Sequence, residues 1–241
     1  MNEKILREIY SHKNPNKAKN LSRFFKTGQG QYGAGDMFLG LTAPISRKIA
    51  LKHKDISFRE IKLLLKNKIH EVRLIGLIIL VRRYKVGIAK EKGKIVKFYL
   101  KNIKYINNWD LVDLSASQIL GDYLLEKNNK NILLKLTRSK NLWEQRIAMI
   151  STAAFIRRGE MAWTIKIARI FLNHKHDLIH KATGWMLREV GKKNVKELRR
   201  FLDANLSKIP RTMLRYATER LPEKLITGKT NLFLKNVFIV Y

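Results

Sequence analysis

Cysteine does not occur in this chain. Its absence excludes disulfides, thiolate metal sites and a cysteine nucleophile, and it suits a reducing compartment such as the cytoplasm. Proline is scarce, with four in 241 residues, and strand-like alternation is weak throughout. Little therefore forces helices to break. Acidic residues are also few: 19 Asp and Glu stand against 50 Lys and Arg, a formal net charge of +31. A compact chain with that charge repels itself unless something anionic balances it, and nucleic acid is the leading candidate. Long apolar runs are missing too. The longest, LIGLIILV at 74–81, ends at Arg82 and Arg83, well short of the roughly 18 residues a membrane-spanning helix needs. The opening residues, MNEKILREIY, read as a polar helix start and not as a signal peptide. These features predict a soluble cytoplasmic protein with no membrane attachment.

What is present is helical periodicity. SFREIKLLLKNKI (57–69) puts Ile61, Leu64 and Leu65 on one face, with Ser57 placed to cap the helix. EVRLIGLIILVRRYK (71–85) is apolar over most of its girth and reads as an inner helix. Short polar breaks, such as RSKN (138–141) and KKN (192–194), separate the later segments. HEVRLIG begins at 70, NNWDLVD at 107, LWEQRIA at 142 and IHKATGW at 179, so successive starts differ by 37, 35 and 37 residues. Each opens a more apolar helix that follows a more polar one. This period predicts an all-α fold, an α-solenoid superhelix of helical pairs whose concave face is a basic groove. One domain is expected over 1–241, with repeats to 229. The tail TNLFLKNVFIVY (230–241) is apolar without clear helix caps, and its structure is left open.

Two stretches resemble chemical motifs without their context. TGQGQYGAGD (27–36) holds Gly28, Gly30 and Gly33 in GxGxxG spacing, but a helix precedes it and MFLGL follows without opening one. A dinucleotide site requires the opposite order, so the stretch reads as a flexible loop. HKHDLIH (174–180) puts His176 and His180 at i,i+4, yet the glutamate of a zinc-protease helix is missing. It reads as a solvated basic corner, with no metal assigned. Neither a GxSxG elbow nor a P-loop occurs.

NNWDLVDLS (107–115) is different. Trp109 and Asp113 are i,i+4 and share a helix face. Asp110 belongs to the first turn, where a carboxylate suits the helix dipole. Asp113 lies a full turn in, among Leu111, Val112, Leu114, Ala116 and Ile119, and a buried carboxylate there is costly unless paired. The next repeats supply Arg146 and Trp185. Two readings stand on spacing alone. The four residues converge on a concave face, or an Asp–Arg pair staples two repeats while the tryptophans pack in the core.

RFFKTGQGQYGAGDMFLGLTAP (23–44), WDLVDLSASQILGDYL (109–124), LWEQRIAMIST (142–152), KATGWMLREVGK (181–192) and RTMLRYATERL (211–221) together resemble the AlkD-like DNA alkylation repair family of HEAT-like-repeat DNA glycosylases. The resemblance runs to about residue 225 and leaves the last dozen residues outside. It implies a superhelix of HEAT-like helical pairs that binds duplex DNA on its concave face. It also implies excision of positively charged alkylpurines such as 3-methyladenine and 7-methylguanine, without the base having to flip into a deep pocket. By the same resemblance the catalytic aspartate is Asp113, the cleft tryptophans are Trp109 and Trp185, and the cleft arginine is Arg146. A tyrosine found in some members aligns with Phe24, which lacks the hydroxyl.

The expected chemistry follows from charge. A cationic base leaves as a neutral species, so the costly event is positive charge developing on the sugar, and a fixed carboxylate opposes that cost. Indole faces suit a cationic base or sugar. Arg146 is assigned to positioning a phosphate, and to holding Asp113 ionised. Candidate DNA contacts are Phe24, Lys26, Arg47, Lys48, Arg73, Arg157, Arg158, Arg188, Arg211 and Arg215. Neither a cofactor nor a metal is called for, no obligate protein partner is implied, and a monomer is expected. A non-catalytic repeat protein that binds structured DNA or RNA, and a scaffold for acidic protein partners, remain as alternatives from other classes.

Overall fold

The computed structural model describes residues 3–221, and the tail expectation for 230–241 lies outside them. The fold is all-α, with no strand among the described residues and one isolated parallel bridge, Met37 to Ile69. The chain divides into two compact units between Tyr123 and Leu124. In the first unit the helices are α1 (Glu3–Ser11), α2 (Pro15–Phe24), α3 (Ala43–Lys52), α4 (Phe58–Leu65), α5 (His70–Val86), α6 (Ala89–Lys101) and α7 (Trp109–Ala116). A π-helical turn, Ser117–Gly121, extends α7 into the short α8 (Asp122–Leu125). The second unit holds α9 (Asn131–Thr137), α10 (Leu142–Ser151), α11 (Ala153–Arg157), α12 (Ala162–Ile170), α13 (Asp177–Lys193), α14 (Val195–Asn205) and α15 (Arg211–Thr218).

Helix starts follow local chemistry. Ser57 and Glu60 form a capping box at α4, each side chain bonding the other's backbone N–H. Asn14, Asn108, Asn141 and Asn194 cap α2, α7, α10 and α14 with their side-chain oxygens. The pairs α4–α5, α9–α10 and α12–α13 pack together, which matches the expected succession of helical pairs. As its composition predicts, α5 is buried on nearly every side, from Val72 to Tyr84. In the second unit α15 lies along α13. Gly184 makes that approach possible, since a Cβ there would stand 2.5 Å from the Met213 carbonyl oxygen.

The glycine-rich segment 27–36 forms a loop, as expected, and the chain just beyond it is held in place. It is pinned to the start of α5: the Met37 amide donates to the Lys68 carbonyl at 3.3 Å, and the His70 amide donates to the Met37 carbonyl at 2.8 Å. The buried Glu71 carboxylate then accepts the backbone N–H groups of Leu39, Gly40 and Leu41, the shortest contact being 2.8 Å to Gly40. Gly40 has φ +88°, and a Cβ there would meet the Asn14 carbonyl oxygen at 2.2 Å. Those amides serve Glu71 and are not presented to a phosphate.

Candidate functional site

In the first unit the site is built from α7 downward. Trp109 is the first residue of α7 and is half-buried. Its indole stacks on the buried Phe25 ring at 5.1 Å with 22° between planes, and Phe25 stacks in turn on Phe38 at 5.1 Å. Phe24, 62% exposed at the end of α2, meets Phe25 and Trp109 edge-on at 5.1 and 5.8 Å. The structure thus brings Phe24 and Trp109 together beside a largely apolar cleft, lined by Lys17, Leu21, Phe24 and Leu41 among others. Asp113 follows one turn along α7 on the Trp109 side and is half-buried. Leu111, Val112, Ala116 and Ile119 take the fully buried positions around it. Asp113 therefore stands at the boundary of the core and not inside it.

Beneath Trp109 lies a charge cluster that sequence spacing did not reveal. The His70 ring, 2% exposed, has Nδ1 at 3.2 Å from an Asp36 carboxylate oxygen and Nε2 at 2.7 Å from Asp110. Arg73 donates to the other Asp36 oxygen at 2.7 Å, and the Asn108 amide donates to Asp36 at 3.1 Å. Phe25 and Phe38 lie against the imidazole at 4.9 and 4.7 Å. Burial alone would push the Asp36 pKa up, but the His70 hydrogen bond, the Arg73 charge and the Asn108 amide outweigh it and hold it below the ordinary value. For His70 burial works the other way, and hydrogen bonds to Asp110 and Asp36 outweigh it and raise the pKa. Asp110 thus has the structural role its place in the first turn suggested, plus a partner 40 residues away in sequence.

The proposed cations sort by exposure. Lys26, Arg47 and Lys48 are exposed in the first unit, and Lys26 adopts φ +53° at the end of the α2 region. Arg157, Arg158, Arg211 and Arg215 are exposed in the second. Arg158 pairs with Glu126 at 3.0 Å. Arg188 pairs with Glu219, and the two line a cleft of about 430 Å³ with Arg215 and Tyr216. Arg73 departs from expectation. At 3% exposure, its guanidinium is committed to Asp36 and to the carbonyls of Asn67 and Lys68 at 2.9 and 3.1 Å, so it braces the interior and does not face a phosphate. Arg146, on α10, is 5% exposed and donates to the Leu178 carbonyl at 2.7 Å, bracing the first turn of α13. Trp185 is half-buried midway along α13.

The histidine stretch is a capping device and not a solvated corner. His176 accepts the Leu178 amide at the start of α13, and His174 accepts the His176 amide. His180 bonds the His174 carbonyl, and His174 bonds Gln145 at 2.9 Å. Among the described residues no group of His, Asp and Glu is arranged to hold a metal ion. Likewise no helix among them is long and apolar enough to cross a membrane.

The sequence profile of the DNA alkylation repair enzymes matches residues 5–221. The chain belongs to that family. A solved structure described as a predicted DNA alkylation repair enzyme from Enterococcus faecalis superposes with a TM-score of 0.68 at 17% identity, covering 87% of this chain and 97% of that one. At that identity the likeness is one of fold. No curated protein matches the chain significantly. Membership puts damaged DNA forward as the substrate.

Proposed function

We propose that this family member is a monofunctional DNA glycosylase that removes positively charged alkylpurines, such as 3-methyladenine and 7-methylguanine, from duplex DNA. One observation carries the reading: a half-buried carboxylate, Asp113, stands one helical turn from a half-buried indole, Trp109, in a chain of net charge +31. A surface that only held phosphates would gain nothing from an anion there.

The reaction balances with water alone. The bond from the sugar C1′ to the base nitrogen breaks, and its electron pair neutralises the cationic ring. Water adds to C1′ and releases a proton, leaving an abasic site. Asp113 stabilises the positive charge that develops on the sugar, and it orients the water. A partly desolvated carboxylate does this better than one in bulk water. The face of Trp109 packs against the cationic base or sugar. Arg146 is buried and donates to the Leu178 carbonyl, so its part is to brace the start of α13.

The test is release of 7-methylguanine from methylated duplex DNA by the wild type and by Asp113→Asn. Release should fall by roughly two to three orders of magnitude in the variant, with DNA affinity retained. A folded wild type that binds DNA and releases no base would leave the chain as a binding protein and end the glycosylase reading.

A further inference from the structure

We propose that His70 is a positioning residue for the candidate site: an imidazolium clamped between Asp36 and Asp110, it fixes the turn of α7 that carries Trp109 and leads to Asp113. This rests on the reading of those two residues given above, and it adds a group that makes no contact with DNA.

Geometry carries the argument. Carboxylate oxygens accept hydrogen bonds and never donate them, so a ring with carboxylates at both nitrogens must hold a proton on each. His70 has that arrangement, at 3.2 Å to Asp36 and 2.7 Å to Asp110. Its charge completes a neutral set, with Asp36 and Asp110 against His70 and Arg73. A neutral ring would point a lone pair at one carboxylate and leave the buried cluster net negative. The ring faces are used as well, one aromatic neighbour being Phe25, the plate on which Trp109 lies. Two routes thus link the imidazolium to Trp109, one through Asp110, its neighbour in sequence, and one through the Phe25 stack. Asn108 closes the first turn of α7 onto the same Asp36.

Few other charges intervene. Of the elements packed on α5, the loop before α3 contributes Asp36 and α7 contributes Asp110. The cations of α3 and α4, Arg47, Lys48, Lys52, Arg59 and Lys62, are exposed, and Lys92 of α6 lies over the Tyr84 ring. Within α5 the neighbours are Arg73, already paired, and Glu71, turned to the Leu39–Leu41 amides.

Two measurements on the intact protein test the proposal. The first is single-turnover release of 7-methylguanine between about pH 6 and pH 10, with the charge of His70 read in parallel by NMR of its ring nitrogens. The second is ¹⁹F NMR of protein labelled with 5-fluorotryptophan, with Trp109 assigned by Trp109→Phe, which needs neither substrate nor activity. In the wild type the release rate should fall on the alkaline side, and the Trp109 resonance should move, as His70 loses its proton. Asp110→Asn keeps the side-chain volume at a partly exposed position and removes one carboxylate. It should slow release about tenfold or more and carry both transitions to lower pH. His70→Gln should abolish them. A Trp109 resonance that ignores the His70 titration, or an Asp110→Asn profile with an unshifted alkaline limb, overturns the proposal even if stability drops. If wild type releases no base while Trp109 still follows His70, the anchor stands and the glycosylase reading falls.

Discussion

At the scale of single residues, buried charges in the first unit act as internal ties. Glu71 is the clearest. It is 2% exposed, and its carboxylate takes three consecutive backbone N–H groups, those of Leu39, Gly40 and Leu41. No water can replace those bonds at that depth, and an amide left unsatisfied there carries its whole desolvation cost. The tie also decides where the Phe24–Phe38 aromatics stand, because the glycine-rich loop returns to α5 at this point. Glu71→Ala should therefore destabilise the fold by about 2–4 kcal/mol, read as a lower urea midpoint. Glu71→Gln keeps an acceptor oxygen and should cost distinctly less. Equal losses for the two would mean that packing, and not amide recognition, sets the role of this side chain.

At the scale of elements, α13 depends on histidines for its first turn. Burial, and then the neighbouring positive charges of His180 and His176, depress the His174 pKa; burial, with His180 added, depresses that of His176 despite the opposing pull of Asp177. A histidine whose pKa is lower folded than unfolded binds its proton more readily in the unfolded chain. Stability from this cap is therefore full above the ordinary histidine value of about 6.5, and it is lost as pH falls from there toward the depressed values. Amide exchange should show the first turn of α13 losing protection between about pH 7.5 and pH 5.5, beyond the intrinsic change in exchange rate, while α5 does not. His176→Asn keeps a capping side chain without the titration and should weaken that dependence. A first turn that is insensitive to pH in the wild type would dismiss the cap as the controlling contact. These helices were legible from sequence because apolar period and capping residues are local signals: α5 begins at His70 and α10 at Leu142, where the repeat spacing put them, while α7 and α13 begin within two residues of it. Trp109 and Asp113 were legible for the same reason, as a face of one helix. The His70 clamp was not, since its partners lie 34 and 40 residues away and come from a loop and another helix. Nor was the commitment of Arg73 to the interior, because an arginine that braces Asp36 and one that meets a phosphate look alike in a string of letters.

At the scale of the whole molecule, charge governs the encounter with DNA. A protein that neutralises phosphates releases their counterions, so affinity falls with salt in proportion to the number of contacts. Lys26, Arg47, Lys48, Arg157, Arg211 and Arg215 are all exposed. If each neutralises one phosphate, log affinity should fall against log salt with a slope of about −5. Arg47→Ala with Lys48→Ala should make the slope shallower by about two, uniformly across DNA sequences. Substitution of Arg73 is the internal control. It should lower stability by leaving Asp36 buried without its guanidinium, and it should leave the slope of the folded protein unchanged. Titrations of a duplex oligonucleotide by fluorescence anisotropy between about 50 and 200 mM salt, repeated with a non-nucleic polyanion as competitor, decide the matter. A shallow slope, or a polyanion that competes as well as DNA, would return the +31 charge to a general property of the surface and favour the acidic-partner scaffold over the repair enzyme.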